Sequence, residues 1–407
     1  MNKNIEKRVK EMVDYAYQNV PFYIKLKEKT KSENTIIDKN MITDIGDFVS
    51  VKYMFGKNKE LIKTETSGST GKCFEIIWNK KDYNKSMLSL WVYRYKYYGV
   101  KPNDRFCYFF SMENTITDNF YEYSENSLGF SKCNLTEDRL LEICNMILEY
   151  NPVWLNLQPS IAILLAECFK KNKLKKIDGL KYIELTGEML LDSTRKEIEN
   201  IFDCAIANQY GCYEGNSIAY ECPYGNMHCM EDNIYTEIVD EGGESVSEAL
   251  EGNIIITTLH SHVMPFIRYK IGDLGIIDNT HKCKCGNCSP ILKLTSGRIS
   301  DYAIMKDGSK VSSYVFVRAV EIINRKYENV IRQFRVIQKE YDFFVVELVL
   351  DEDAVENLIT EREVEDEFLY LLNDERLYDT EFEFKYYNEF KLKDNEKKLR
   401  YFIREIN

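Results

Sequence analysis

Apolar residues recur along the chain at two spacings, and each spacing predicts a different kind of element. Between residues 5 and 20 they return every three or four positions, which is typical of an amphipathic helix that Pro21 interrupts. Shorter continuous apolar runs are typical of buried strands. The predicted strands cover 105–110 and 181–186, and the predicted helices cover 136–150, 160–171 and 191–202. This alternation favours an α/β architecture.

The pattern changes after residue 300. Strands are predicted over 331–338, 342–350 and 380–388, and an acidic amphipathic helix is predicted over 353–373. We therefore expect a large N-terminal α/β domain over residues 1–300. A small C-terminal α+β domain is expected over residues 301–407, a length within the usual range for domains. Residues 32–60, which are polar with short apolar runs, are expected to form a connector.

Composition narrows the class of protein. The chain has 407 residues, 44% of them hydrophobic, which is enough for two or three domains with a large core. The net charge is −12 and the basic residues are scattered, so neither a nucleic acid nor a membrane is expected as a partner. No stretch resembles a membrane span and the start lacks an apolar signal segment, so we expect a cytoplasmic protein. Its twelve cysteines are then expected to be thiols or metal ligands.

Residues 64–72 crowd hydroxyl side chains and one lysine around two glycines. Glycine lets the backbone approach a ligand closely, and successive N–H groups can then form a nest for a polyphosphate. A P-loop is excluded, because Thr66 stands in place of its first glycine and Cys73 in place of its magnesium-binding hydroxyl. The apolar run at 74–78 predicts a strand, so the loop is expected to link strands. An ordinary polar surface loop is the alternative.

Four other short motifs carry side chains that suit a nucleotide, although each alone is also typical of a turn or linker. They lie at 182–188, 208–214, 265–273 and 297–301. The first ends an apolar strand with a glycine turn and the carboxylate of Glu188. The second combines Tyr210, a flat face for a purine, with Glu214, an oxygen ligand for Mg²⁺. In the third, Asp273 at a predicted strand end suits a ribose diol, and in the fourth Arg298 is a fixed cation.

In this order, Thr-Ser-Gly-Ser-Thr-Gly-Lys, Thr-Gly-Glu, Tyr-Gly-x-x-Glu, Arg-Tyr-x-x-Gly-Asp and Gly-Arg-x-x-Asp resemble the motifs of the adenylate-forming superfamily. More narrowly, the chain is similar to the phenylacetate–CoA ligase family and its capsule-biosynthesis relatives, whose N-terminal signature resembles residues 16–23. The resemblance runs from about residue 10 to the C-terminus. It implies a large α/β N-terminal domain of the adenylate-forming type, with a small mobile α+β C-terminal lid.

The resemblance implies a two-step reaction. A small carboxylic acid attacks the α-phosphate of ATP to give an acyl-adenylate and pyrophosphate, and a thiol, most simply coenzyme A, then displaces AMP. The residues that the resemblance assigns to ATP or AMP are Ser67, Gly68, Ser69, Thr70, Gly71, Lys72, Gly187, Glu188, Gln209, Tyr210, Gly211, Tyr213, Asp273 and Arg298. It assigns Mg²⁺ to Glu214, and it counts Glu214 and Lys72 among the catalytic residues.

The resembled family also places a catalytic lysine on its small domain. The closest match is Lys398, with Lys397 as an adjacent competitor. A lysine there would neutralise the charge that develops between the carboxylate and the phosphate. Rotation of the small domain between the two steps is expected by the same resemblance.

Several departures from the family pattern bear on activity. Cys73 replaces the usual proline, Tyr213 replaces a small hydroxyl residue before Glu214, Ser300 stands at the usual hinge, and the usual glycine before the C-terminal lysine is absent. The acceptor could therefore be an amine or a carrier-protein thiol, and a catalytically weak nucleotide-binding relative is the other alternative. Aromatic residues within 105–160 and 184–219 are compatible with an aromatic acid, but also with an ordinary core.

A second group of candidate ligands is separate from the nucleotide motifs. The predicted ligands are Cys222, His228, Cys283 and Cys285. Sulfur and imidazole ligands in two short knuckles fit tetrahedral Zn²⁺, and four protein ligands leave no open position, so the predicted site is structural. The rival ligands are Cys288, Cys229 and His281. Unligated buried thiols are the alternative.

Overall fold

The computed structural model describes most of the chain, in two compact units. The described residues are 3–32, 34–54, 60–65, 75–110, 120–131, 135, 137–190, 192–247, 250–298, 302–306, 308, 310–327, 330–372, 377, 380–390 and 401–406. Outside them lie Ser67, Gly68, Ser69, Thr70, Gly71, Lys72, Lys397 and Lys398. One unit comprises residues 1–102 and 207–298, and the other comprises residues 103–206 and 299–407. The domain division at residue 300 stays a prediction.

The helices follow the predicted spacing closely. They are α1 (Lys3–Asn19), α2 (Pro21–Thr30), α3 (Ile45–Phe48), α4 (Val51–Met54), α5 (Lys80–Tyr98), α6 (Glu137–Tyr150), α7 (Pro159–Lys171), α8 (Asp192–Phe202), α9 (Tyr314–Lys326), α10 (Glu352–Asn357) and α11 (Glu361–Leu372). Pro21 ends the first helical pattern, as predicted, and also begins α2, because a proline fits the first helical turn, where its missing N–H has no partner to lose. Within the described ranges, no helix is both long and apolar enough to cross a bilayer.

The single helix predicted over 353–373 is wrong in one respect, because two helices occupy it. The Asp351 side chain caps α10 by accepting from the N–H of Ala354. The second helix then begins with a capping box, in which the N–H of Thr360 donates to Glu363 Oε2 at 2.8 Å and the N–H of Glu363 donates to Thr360 Oγ1 at 3.3 Å. The cap at Asp351 and the capping box at Thr360 each begin a helix, so the segment 353–373 forms two helices rather than one.

The strands also agree with the predicted runs. They are β1 (Leu61–Glu65), β2 (Glu75–Asn79), β3 (Phe106–Phe110), β4 (Tyr121–Tyr123), β5 (Ser127–Ser131), β6 (Trp154–Leu157), β7 (Tyr182–Thr186), β8 (Ala205–Cys212), β9 (Asn216–Glu221), β10 (Met227–Cys229), β11 (Ile234–Val239), β12 (Gly252–Thr258), β13 (Tyr269–Asp278), β14 (Ile291–Arg298), β15 (Tyr302–Ile304), β16 (Lys310–Ser312), β17 (Ile331–Glu340), β18 (Phe343–Leu350), β19 (Glu381–Tyr386) and β20 (Phe402–Arg404).

The first unit is built on an antiparallel sheet. Its strands run in the order β11-β12-β13-β14-β10-β9-β8. Apolar side chains of α1 and α2, including Met12 and Tyr23, share one buried core with Ile256 and Phe266 of this unit. Strands β1 and β2 pair separately and antiparallel, with Glu65 opposite Glu75. The prediction that the Ser/Gly motif lies between two strands is therefore confirmed.

The described part of the second unit contains two larger sheets and the antiparallel pair β15-β16. In the first, β7, β6, β3 and β5 are parallel neighbours and β4 is antiparallel to β5. Leu155 and Ile183 of this sheet share a buried core with α6, α7 and α8. The second sheet lies in residues 302–406, here termed the C-terminal region, and has the order β19-β18-β17-β20. Phe316 of α9 and Phe368 of α11 belong to its core. The predicted α/β and α+β classes are both confirmed.

Candidate active site

Strand β8 and the turn after it carry the second nucleotide motif. The register of β8 with β9 shifts between Tyr210 and Gly211. A Cβ atom at Gly211 would lie 2.1 Å from the backbone oxygen of Asn216, so only glycine fits this close approach. The close approach of the Gly211 and Asn216 backbones fixes the start of the turn that carries Tyr213 and Glu214.

Two hydrogen bonds join this segment to β13, and both involve a predicted nucleotide residue. The Tyr210 hydroxyl donates to Asp273 Oδ2 at 2.6 Å, and the Tyr269 hydroxyl donates to Glu214 Oε1 at 3.1 Å. Glu214 is only 8% exposed, so its carboxylate is held inside the unit rather than on a solvated surface. The structure thus joins Tyr210 and Glu214, which are neighbours in sequence, to Asp273 and Tyr269 of β13, which lie more than 50 positions later in the chain.

The turn itself is supported by neighbouring strands. The buried indole of Trp78 donates from Nε1 to the Tyr213 carbonyl at 3.3 Å. The Asn233 amide donates to the carbonyls of Gly215 and Ser217, each at 2.8 Å. Gln209 Nε2 donates to Ser217 Oγ at 2.7 Å. Trp78 lies in β2, directly after the Ser/Gly motif, so a strand that borders that motif contacts the turn that carries Glu214.

Asp273 does not end a strand, and that expectation is wrong. Strand β13 runs from Tyr269 through to Asp278, and its pairing with β14 is irregular at Asp273 and Leu274. Gly272 has φ +90°, a conformation that suits glycine and accounts for the local irregularity. The backbone of Arg298 lies opposite Asp273 in the register of β14. The side chain of Arg298 lies outside the described part of the chain.

The motif at 182–188, which contains Gly187 and Glu188, lies in the second unit at the end of β7. Gly187 has φ +85°, so the chain turns sharply there before Glu188, which is half-buried. Burial, together with the nearby charge of Glu188, raises the pKa of Tyr401. Tyr401 follows Lys398 by three positions. Tyr401, in the C-terminal region, therefore lies near Glu188.

Sequence analysis missed four residues that support these groups. They are Trp78, Asn233, Tyr269 and Tyr401. Each acts through a contact with a residue distant in sequence, which no local motif can indicate. Tyr269 could have been identified from the sequence, because it lies inside the motif 265–273 and precedes Asp273 by four positions on the same strand.

The four predicted zinc ligands meet in the first unit. The ligand atoms of Cys222, His228, Cys283 and Cys285 all lie within 4.8 Å of one another. Cys222 Sγ and Cys283 Sγ are 3.6 Å apart, and Cys285 Sγ and His228 Nε2 are 3.3 Å apart. Ligands about 2.3 Å from a tetrahedral zinc ion would be about 3.7 Å from one another. The donor set and its spacing therefore fit Zn²⁺.

Hydrogen bonds around this cluster orient its ligands. His228 Nδ1 is 3.1 Å from the Ser289 carbonyl, which can only accept, so Nδ1 carries the proton and Nε2 faces the thiols. Asn226 Nδ2 donates to Cys283 Sγ at 3.3 Å, and the Tyr97 hydroxyl of α5 lies 3.7 Å from Cys285 Sγ. Burial raises the pKa of Cys283, but hydrogen bonds from the Cys285 N–H and from neighbouring ligand side chains outweigh it and lower that pKa to about 6.

The rival ligands lie elsewhere. Cys288 and His281 are exposed, and burial raises the pKa of Cys229, in β10, to about 12. Among the residues that the structure describes, the one group with metal-ligand spacing is the predicted set of four.

Comparison with known proteins finds relatives in the family that the sequence motifs resemble. No protein-family model matches the chain. It is 25% identical over 328 residues to phenylacetate-coenzyme A ligase of Thermus thermophilus, an alignment that covers 74% of this chain and 71% of that protein. It is 24% identical over 373 residues to protein CapK of Staphylococcus aureus, which covers 87% and 80% respectively.

Solved structures show the same fold. A 2-hydroxyisobutyryl-CoA ligase, described in the postadenylation state, superposes with a TM-score of 0.77 at 18% identity over 99% of this chain and 89% of that one. An anthranilate CoA ligase in complex with anthranoyl-AMP gives a TM-score of 0.56 at 13% identity over 82% and 65%. At these identities the likeness concerns the fold alone, and the predicted fold class is confirmed.

Proposed function

The chain is a phenylacetate–CoA ligase-like member of the adenylate-forming superfamily, and on that premise we propose that it activates a small carboxylic acid with ATP. The acid displaces pyrophosphate to give an acyl-adenylate, and the thiol of coenzyme A then displaces AMP. The observation that carries the proposal is the pairing of Tyr210 with Asp273 and of Tyr269 with Glu214. A pure scaffold would not need two carboxylates held by tyrosine hydroxyls, one from buried Tyr269 and one from half-buried Tyr210, at motifs that suit Mg²⁺ and ribose.

Each carboxylate has a chemical task in this proposal. Glu214 would hold Mg²⁺, which takes one or two carboxylates together with substrate phosphates and neutralises charge on them. The Tyr269 hydroxyl fixes the position of that carboxylate. Asp273 would accept hydrogen bonds from the ribose. The Tyr210 hydroxyl orients that carboxylate, and its ring would offer a flat face to the purine. Lys72, Arg298 and the hydroxyls of the Ser/Gly motif would bind the phosphates.

We also propose that the cysteine–histidine cluster holds a structural Zn²⁺. Cys222, His228, Cys283 and Cys285 would be its four ligands, which leaves no position for a substrate. The bound ion would connect the turn after β9 to the turn before β14. Because Tyr97 of α5 reaches Cys285, the same site would also hold that helix against the sheet.

Replacement of Tyr269 by phenylalanine tests the role of Glu214. A hydrogen bond to a charged group stabilises it by about 1.5–3 kcal/mol, so its loss should raise the KM for ATP at least about tenfold. Tyr23→Phe is the matched control, because it also removes a buried hydroxyl, one that bonds to the backbone of Pro265 and Ile267. We expect Tyr23→Phe to lower the melting temperature without changing that KM. An unchanged KM in Tyr269→Phe would remove Glu214 from the proposed magnesium site.

The overall activity is tested by acid-dependent release of pyrophosphate from ATP. A panel of aryl and short-chain acids should be supplied, each with and without coenzyme A. We expect at least one acid to release pyrophosphate, and coenzyme A to convert its adenylate to a thioester. Release without thioester would indicate an amine or a carrier-protein thiol as the acceptor. Silence with every acid would indicate a nucleotide-binding relative that lacks the chemistry.

A further inference from the structure

Arg268, the residue just before β13, has a backbone conformation that arginine rarely adopts. Its φ is +46°, in the left-handed region that crowds a side chain against its own backbone. Apart from Asn216 and the glycines, the other such residues that the structure describes lie within two positions of a helix end, where this conformation commonly stops a helix: Lys31, Asn151, Lys173 and Asp203. Arg268 instead precedes a strand, so other contacts hold it in this conformation.

The guanidinium of Arg268 makes those contacts. Nη1 donates to the Asn34 carbonyl at 2.7 Å and to Asn34 Oδ1 at 3.0 Å. Nη2 donates to the Gly243 carbonyl at 3.1 Å and lies 3.3 Å from Glu237 Oε1. The side chains of Arg268 and Glu237 are only 12% and 15% exposed, so water screens the attraction between their charges little. The planar fork of one arginine thus holds groups from three separate segments.

The segment 34–37 also pairs with the start of β13 through its backbone. The Ile37 N–H donates to the Arg268 carbonyl at 3.0 Å, and the Lys270 N–H donates to the Ile37 carbonyl at 2.8 Å. Ile37 thereby forms a parallel bridge with Tyr269. Part of the stretch that sequence analysis expected to be a connector therefore borders the residue that bonds to Glu214.

The turn at Arg268 coincides with the start of regular pairing in β13. The Arg268 N–H donates to the side-chain Oγ1 of Thr257 at 3.0 Å, and pairing with β12 begins at the next residue, with Tyr269 opposite Ile256. Successive side chains of a strand point to opposite faces, so a slip of one residue would turn the Tyr269 phenol away from Glu214. The bond from the Tyr269 hydroxyl to Glu214 Oε1 therefore depends on the conformation of Arg268.

We propose that Arg268 is the positioning residue for the pair of Tyr269 and Glu214. Its guanidinium fixes the left-handed turn, the turn sets the register of β13, and that register directs the Tyr269 phenol to the carboxylate. The proposal rests on the proposed function in one respect, that this carboxylate binds Mg²⁺. Arg268 has no contact with substrate in this scheme and acts through Tyr269.

Fluorine NMR of the intact chain tests the positioning directly. Fluorotyrosine placed at position 269 alone gives one resonance that reports the hydrogen bond of its hydroxyl, and Glu214→Ala defines that resonance without the bond. Arg268→Lys keeps a charge beside Glu237 but lacks the fork that reaches the other partners. We expect it to shift the resonance toward the Glu214→Ala position. Asn34→Ala changes an exposed residue and removes one acceptor of the guanidinium, so it should cause a shift in the same direction.

Arg94→Lys is the matched control for this measurement. Arg94 is another buried arginine of the first unit, and its guanidinium lies 4.5 Å from the centre of the Trp91 ring. Its replacement also removes a fork and keeps a charge, so the resonance should stay at its wild-type position. An equal shift in Arg94→Lys would overturn the role of Arg268, and so would a resonance that stays in place in both Arg268→Lys and Asn34→Ala.

A kinetic cycle measures whether Arg268 acts through Tyr269. Arg268→Lys should raise the KM for ATP about fivefold, within the range by which members of one hydrogen-bond network couple. In a chain that already carries Tyr269→Phe, the same replacement should raise the KM no further. Effects that multiply in the double variant would overturn the route through Tyr269. The NMR experiment needs no turnover, so an inactive protein with the expected shifts would contradict the proposed function alone, and an active one with an unmoved resonance would contradict the role of Arg268 alone.

Discussion

Replacement of Lys398 by alanine should slow adenylate formation by about 10²–10³-fold, the usual cost of losing one preorganised charge in a transition state. In that step a carboxylate approaches a phosphate, so two anions come together and a cation between them lowers the barrier. In the second step a thiol displaces AMP, and that repulsion is absent. Conversion of a supplied acyl-adenylate to the thioester should therefore stay near its wild-type rate in the same variant.

The measurement is pyrophosphate release for the first step and thioester formation from synthetic adenylate for the second. Lys397→Ala is the matched control, because it removes an equal charge from the neighbouring position. We expect Lys397→Ala to retain both activities. If Lys398→Ala lost both half-reactions equally, its role would be structural. If Lys397→Ala carried the selective loss instead, the assignment would move by one residue.

The second large effect is expected at the metal cluster. Cys283→Ser should abolish stoichiometric zinc binding and lower the melting temperature by about 10 °C, because a structural metal contributes several kcal/mol to folding. Cys283 Sγ lies 3.6 Å from Cys222 Sγ, and its lowered pKa already favours the thiolate that zinc requires. Zinc content by mass spectrometry of metals and thermal unfolding would measure the two effects separately.

Cys288→Ser is the control for this variant. Cys288 lies three residues after Cys285, yet it is exposed and does not belong to the group of four. Its replacement should leave both the zinc content and the melting temperature unchanged. Zinc loss in Cys288→Ser with retention in Cys283→Ser would show that the ligand set had been assigned to the wrong cysteine. Purified wild-type protein without any bound zinc would remove the metal from the proposal altogether.

The sequence was most informative where the chemistry is local. The knuckle Cys283–Cys285 places two thiols within three residues, so the short spacing alone already limits where their sulfur atoms can lie. The division of 353–373 was also open to prediction, because Thr360 and Glu363 form a capping-box pattern. The predicted single helix rested on the longer amphipathic spacing alone. The position of Asp273 inside β13 depends on pairing with β14, which no single segment specifies.

Long-range contacts explain the rest of what sequence analysis missed. The hydroxyl of Tyr269 bonds to Glu214, 55 positions earlier, and the indole of Trp78 bonds to the Tyr213 carbonyl, 135 positions later. Such contacts arise only when the strands of a sheet are already in place. The motifs indicated which residues carry the chemistry, whereas the packing of the first unit determines which side chains support them.

The bond between Trp78 and the turn of Glu214 has a practical consequence. The chain contains three tryptophans, and Trp154 lies in the other unit, while Trp91 lies on α5 beside Arg94. The fluorescence emission of Trp78 depends on the dipole of the Tyr213 carbonyl to which its indole is bonded. A movement of this turn should therefore change the fluorescence of Trp78. Ligand titrations could follow that fluorescence without any attached dye.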